Sequence, residues 1–404
     1  MDVTAVVVAA GALFAWGLLS NRLERADVTA PIAFIAVGAV LAAVELVHGT
    51  PASESLTPLV EVTLVWVLFN DAARLPARDL RRDSGRYLRL LAIGLPLTIA
   101  LGWGLAAWMF PDLGVWLALF VGAALAPTDA ALGIPVVTNP VVPTRIRELI
   151  TVESGLNDGI ATPVVMVAIA GAAAAAGLEH AEGAGHALLA LTIGVLAGVA
   201  VGGGGGAALR WARNHGTAAE SFAGIAVLAL ALAAYASAVA VDGNGFVAAF
   251  CGGLAFGAFA GPRAPAELEF LEQMGTLLAS LVWMAFGAIA IPIMLDRLDA
   301  ATVLYAVLSL TVVRMLPVAL ASVGAGMDRA TVLFVGWFGP RGLASLVFAL
   351  LALEALGTHA DEAVAVLSVT VLLSVVAHGL TAAPFAKRYG RHAAGEAVAE
   401  AEPR

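Results

Sequence analysis

Residues 113–137 read LGVWLALFVGAALAPTDAALGIPVV, an apolar run whose only charge is Asp129. A helix needs roughly 20 such residues to cross the hydrocarbon core of a bilayer. In the middle of the run stands Ala126-Pro127-Thr128-Asp129. Pro127 has no amide donor and its ring clashes with the preceding turn. The run is therefore expected to be a membrane helix broken at mid-depth, with freed carbonyls and exposed half-helix ends. A carboxylate beside such a break suits a cation.

The rest of the chain agrees with a membrane reading. Of 404 residues, 61% are hydrophobic and 13% charged, against about 25% charged in soluble domains. The mean hydropathy is +0.93. No soluble core needs so much apolar surface, so the bilayer must solvate most of it. The net charge of −9 says little, because the sign of each loop matters more than the sum. Cys251 is the single cysteine, which excludes an internal disulfide framework and a cysteine metal site. Met1-Asp2-Val3 lacks a basic leader region, so a retained first helix is expected and not a cleaved signal.

Thirteen spans can be drawn, at about 3–20, 28–47, 56–72, 87–109, 113–137, 146–176, 186–210, 219–241, 245–260, 268–294, 300–323, 329–352 and 362–386. The loops test that count. Arg314 and Arg341 fall inside spans. Odd-numbered loops carry Arg22, Arg25, Arg74, Arg78, Arg81, Arg82, Arg86, Arg89, Arg145, Arg147, Arg210, Arg213, Arg263 and Arg329. The tail carries Lys387, Arg388, Arg391 and Arg404. Even-numbered loops carry only Arg297, which makes eighteen basic residues against one. Since cytoplasmic loops gather Lys and Arg, the N-terminus is expected outside and the C-terminus inside. The expected organisation is one transmembrane domain over 1–386 and a short cytoplasmic tail over 387–404, partly disordered. With no extramembrane domain, transport comes before soluble-substrate chemistry.

An ionisable group at membrane depth costs at least about 2.5–3.5 kcal/mol, and such groups mark pathways or sites. Besides Asp129, the sixth span carries Glu153-Ser154-Gly155-Leu156-Asn157-Asp158. Glu153 and Asn157 are four apart, as are Ser154 and Asp158, so each pair shares a helix face. Hard oxygen ligands of this kind suit a small alkali ion. Arg314, mid-span in Thr311-Val312-Val313-Arg314-Met315, needs a carboxylate partner, and Glu153 is the best candidate. Gly336-Trp337-Phe338-Gly339-Pro340-Arg341-Gly342 forms a second break, in span twelve. Paired interruptions are the sequence hint of an inverted-repeat transporter. Spans 1–6 and 8–13 would be the repeats, with Arg341 neutralising a half-helix end or a nearby acid. The glycines at 202–206 read as close helix packing, since no strand precedes them as in a phosphate loop. Among seven histidines only His378 lies deep.

These residues together resemble the sodium/proton antiporters of the NhaP type, in the first cation:proton antiporter family with the animal sodium/hydrogen exchangers. The resemblance rests on Thr128-Asp129, on the Glu153–Asp158 motif, on Phe69-Asn70-Asp71-Ala72-Ala73-Arg74 closing span three, and on Arg314 and Gly339-Pro340-Arg341-Gly342. Where relatives often have Pro after the Thr-Asp pair, Ala130 stands here, with Pro127 just before the pair. The resemblance implies a homodimer in a bacterial or archaeal plasma membrane. It implies an ion-transporting core at about 87–176 and 300–386, the remaining spans forming a dimerisation scaffold, with an elevator-like movement of the core.

The expected activity is exchange of Na⁺ or Li⁺ for H⁺ by alternating access, without enzyme chemistry or cofactor. Asp158 is the expected main ligand and proton carrier, and Na⁺ would be held by Asp158, Asp129, Ser154 and Thr128. Asn157 would orient a ligand or water, and its neutrality favours one-for-one electroneutral exchange. Glu153 paired with Arg314 would support the site, and Asp71 is a secondary candidate. K⁺/H⁺ exchange on the same scaffold is the first alternative. A channel, or a sodium-coupled symporter, is a further one, although no second polar cluster is visible for a solute. No Ser/His pair or His cluster supports an intramembrane enzyme.

Overall fold

Inside a bilayer no water is present to take up backbone hydrogen bonds, so long apolar runs become helices. The computed structural model describes residues 3–24, 28–44, 53–75, 83–129, 132–178, 184–261 and 266–401, and no strand occurs among them. Met1, Asp2, Arg25, Glu45, Arg78, Arg81, Arg82, Ala130, Arg263 and Arg404 lie outside the described residues.

The helices are α1 (Val3–Glu24), α2 (Ala30–Ala43) and α3 (Ser53–Arg74). Then come α4 (Ser84–Met109), α5 (Gly114–Ala124), α6 (Ile134–Val137) and α7 (Thr144–Ala175). Next are α8 (Ala184–Asn214), α9 (Glu220–Val239), α10 (Gly245–Phe259) and α11 (Ala266–Asp296). The last four are α12 (Ala300–Ala321), α13 (Arg329–Trp337), α14 (Leu343–Leu356) and α15 (Asp361–Ala401). With α5–α6 and α13–α14 each counted as one interrupted span, the described residues give thirteen spans, broken at the fifth and twelfth. The sequence-based boundaries hold to a few residues, with one correction. Helix α15 does not stop near 386 but runs to Ala401, where a partly disordered tail is expected. Residues 393–401 are rich in Ala and Glu, both strong helix formers. Tyr389, just past the expected span end, bonds Thr331 at 2.7 Å and ties the extension to α13.

Two sets of helices emerge from the packing. α10 lies against α8 and α3, and α11 lies against α2. α4, α5 and α7 pack in sequence, as do α12, α13 and α15, and α14 touches α5 and α7. α3 and α11 also touch α14. The α8–α10 contact explains the start of the glycine run. A Cβ on Gly198 would sit 2.3 Å from the Ala248 carbonyl oxygen, and one on Gly202 would sit 2.1 Å from that of Gly252. Only hydrogen at those positions lets the backbones approach so closely.

The halves share a feature that hydropathy cannot show. α4 carries a π turn at Leu90–Gly94, shortly before Pro96, and α12 carries one at Ser309–Val313, shortly before Pro317. Proline removes an amide donor inside each helix, and the wider turn accommodates the loss. In both halves the order is then the same: a π-turned helix, a broken one and a long one. A one-residue insertion turns the following face by about 100°. In α12 the residue that follows is Arg314.

Candidate functional site

The two breaks cross. After α5 the chain is non-helical through Leu125–Asp129, and after α13 it is non-helical through Phe338–Gly342. Each freed backbone group must find a partner, and the two segments supply one another. The Asp129 N–H donates to the Pro340 carbonyl at 2.8 Å. Arg341 Nη1 donates to the carbonyls of Ala126 at 2.9 Å and Pro127 at 3.1 Å. The Leu343 N–H donates to Asp129 Oδ2 at 2.9 Å, and Ser345 Oγ donates to the Ala124 carbonyl at 2.6 Å. The charges follow the helix dipoles. Fully buried Arg341 sits at the C-terminal end of α5, and Asp129 sits at the N-terminal end of α14. Gly342 makes that approach possible, because a Cβ there would stand 1.9 Å from Asp129 Oδ2.

α7 passes beside the crossing. Ser154 Oγ and Thr128 Oγ1 share a hydrogen bond of 2.9 Å, and Asn157 Nδ2 donates to Thr128 Oγ1 at 2.8 Å. Asn157 Oδ1 is buried and has no partner. Arg314 Nη1 meets Glu153 Oε1 at 2.6 Å with both side chains buried. Asp158 is 7% exposed. Among the described residues no hydrogen-bond donor or cation reaches its carboxylate. The charges that act on it are Asp71 and, less strongly, Asp129.

Of the residues singled out from sequence, Thr128, Asp129, Ser154, Asn157 and Asp158 therefore gather at one place. Glu153 and Arg314 pair behind them, and Arg341 spans the two breaks. Asp71, only a secondary candidate in the sequence, comes nearer in effect to Asp158 than Asp129 does. The end of α3 lies over α7, where the Gly155 Cα has room for the Asp71 backbone and Cβ; a Cβ on Gly155 would be 3.6 Å from the Asp71 carbonyl. Asp129 is committed on one oxygen to α14, which the sequence does not reveal. Ser345 and Ser374, whose Oγ accepts the Arg341 N–H at 2.7 Å, also escape sequence reasoning. Small polar residues in apolar helices carry no pattern of their own.

The comparisons with known proteins agree with this geometry. The chain is similar to the sodium proton antiporter MjNhaP1 of Methanocaldococcus jannaschii, with a TM-score of 0.80 at 19% identity over 96% of this chain and 100% of that one. It is 25% identical to a K(+)/H(+) antiporter NhaP of Alkalimonas amylolytica, over 81% of this chain and 56% of that protein. It is 28% identical to a K(+)/H(+) antiporter NhaP2 of a Shewanella species, strain MR-4, over 59% of this chain and 41% of that protein. The chain thus spans about half the length of the curated relatives it matches. The model of the transmembrane part of sodium/hydrogen exchangers, a family of transporters and not of enzymes, matches residues 8–388. With nearly every span inside that match, the chain belongs to the sodium/hydrogen exchanger family.

Proposed function

We propose that this protein exchanges a monovalent cation, Na⁺ or Li⁺, for protons by alternating access. The observation that carries the reading is the buried, unpartnered carboxylate of Asp158 beside Asp71 and Asp129. Three carboxylates crowded in a low-dielectric place cannot all stay charged; the cost is several kcal/mol per ion. A proton or a cation must neutralise them, and the two compete for the same oxygens. Asp158 takes the cation or the proton. Asp129, Thr128 and Ser154 contribute oxygens, and Asn157 Oδ1 offers one more. Asp71 adds a third acid. The empty, charged site does not cross, because bare charge at membrane depth is costly, and this couples the two fluxes. No cofactor is needed beyond the transported ions.

The moving part is the core at about 87–176 and 300–386, holding both breaks, and the remaining spans form the dimer scaffold. The basic loops favour an N-terminus outside and a C-terminus in the cytoplasm, and the family resemblance favours a homodimer in a bacterial or archaeal plasma membrane. Neutral Asn157 beside Asp158 favours one proton per ion. A rate that depends on membrane potential in proteoliposomes would sink electroneutrality.

The curated relatives favour a second reading, since they are named K(+)/H(+) antiporters. One experiment separates the two. Everted vesicles carrying the protein are followed with a pH-sensitive dye while Na⁺, Li⁺ and K⁺ are added in turn. Dequenching with Na⁺ or Li⁺ supports the first reading and with K⁺ alone the second. No proton movement with any of them overturns both.

A further inference from the structure

Behind the second break, α15 presents Ser374 and His378 on successive turns, both buried. His378 Nε2 lies 2.8 Å from the carbonyl oxygen of Trp337, the last residue of α13. Nδ1 lies 3.1 Å from Ser374 Oγ and 2.8 Å from the Ser374 carbonyl. Ser374 Oγ in turn accepts the Arg341 N–H at 2.7 Å. A neutral imidazole has one N–H and one lone pair, so it cannot donate to both carbonyls. Each neutral form leaves one ring lone pair facing a carbonyl, and the form protonated on Nε2 both donates to the Trp337 carbonyl and lets Nδ1 accept the Ser374 hydroxyl. An imidazolium could serve both carbonyls, but burial disfavours a charged ring, and the charges of Arg341 and Arg314 add to that. The chain from the Arg341 N–H through Ser374 and His378 to the Trp337 carbonyl then spans the break. It grips Trp337, the residue before the break, and Arg341 within it. Trp337 is held at the same end by stacking on His378, ring centroids 5.1 Å apart, and by its Nε1–H on Thr381 Oγ1 at 3.0 Å.

We infer that Ser374 and His378 form a clamp that fixes the second break and, through it, positions Asp129 for the cation. The link is direct, because the Pro340 carbonyl and the Leu343 N–H both hold Asp129 and both lie in or next to the clamped segment. The positioning role rests on Asp129 being a ligand; the clamp itself does not.

The test uses the full chain in nanodiscs and proteoliposomes, with His378→Phe, His378→Gln and Ser374→Ala. Phe keeps the stacking but neither donates nor accepts; the Gln amide does both. In His378→Phe, backbone amides of 336–345 should exchange with deuterium about tenfold faster, the effect of leaving a buried group unpaired. The apparent KM for the cation that drives wild-type exchange should rise by about the same factor, with the maximal rate within about twofold. Gln should recover most of both losses. Ser374→Ala should mimic Phe, and the double variant should be no worse than either single one. Wild-type amide exchange in His378→Phe, a Gln variant as poor as Phe, or a lost maximal rate with unchanged KM would overturn the inference. Should His378→Phe fail to assemble, the Ser374→Ala and His378→Gln variants decide by the same readouts. If the wild type moves no protons, the transport reading fails, while the amide exchange still decides the clamp.

Discussion

Glu153 and Asp158 stand five residues apart on α7, both buried, in opposite surroundings. Glu153 has the Arg314 guanidinium at 2.6 Å. Among the described residues, Asp158 has only other carboxylates for charged company. One helix thus holds a buried charge that is compensated within the protein and one that is not. A compensated pair is architecture. An uncompensated acid is tolerable only if something from outside neutralises it, and in a transporter that something is the cargo. Both acids are buried carboxylates on one helix, so neither burial nor chemistry identifies the functional one. The partner does.

The contrast can be broken most completely at Asp158. Asp158→Asn should abolish cation-driven proton movement in everted vesicles. It should leave the melting temperature equal or higher, since it removes a charge that nothing in the fold repays. A clear loss of stability with retained exchange would reverse the assignment of the two acids. Next in size is Arg314→Met, which strands Glu153. Breaking a buried pair costs about 3–5 kcal/mol, so thermal unfolding should shift strongly downward. The further change Glu153→Leu should restore most of the loss. If Arg314→Met melts like the wild type, the pair is not what makes Glu153 tolerable.

Two glycines sharpen the same distinction at smaller cost. Gly342→Ala pushes a methyl group into Asp129 Oδ2, and Gly202→Ala pushes one into the Gly252 carbonyl. Overpacking costs about 1–3 kcal/mol in either place. Only Gly342→Ala should also raise the KM for the cation, because only there is the displaced group part of the site. Equal KM values for both variants would argue against Asp129 as a ligand.

The smallest effect lies outside the membrane. The hydrogen bond from Arg145, with help from Arg86, holds the Asp83 carboxyl below the usual carboxylate range. Its contribution is fully present above the unfolded value near pH 4 and is lost as pH falls through the lower folded value. Asp83→Asn should therefore lower the melting temperature by a constant small amount above about pH 5, worth about 1 kcal/mol or less, and the difference should vanish in acid. A difference that grows on acidification would contradict the sign.

Much of the site was legible because its signals are local. Pro127 and the Gly-Pro-Arg-Gly stretch break helices wherever they stand. The four polar residues of 153–158 stand out against apolar neighbours at helical spacing. Asp71 is different. It ends α3, where an acid beside Asn70 and Arg74 resembles any solvated span end, and only the packing of α3 over Gly155 brings it to Asp158. Asp129 reads as a free ligand in the sequence, yet one of its oxygens caps α14 from more than two hundred residues away. The π turn before Arg314 left no trace in the hydropathy either, since inserting one residue changes a helix face and not its apolar content.

By itself the sequence determined a bundle of thirteen membrane spans, the two places where helices must break, and an acidic stripe on the sixth span. These follow from transfer free energy and backbone chemistry, which act residue by residue. Only the tertiary structure decided that the breaks satisfy one another's hydrogen bonds and that Asp158 is left to Asp71 and Asp129. Those outcomes depend on which helices touch. Periodicity along one helix says which side is polar, but not which helix will face it.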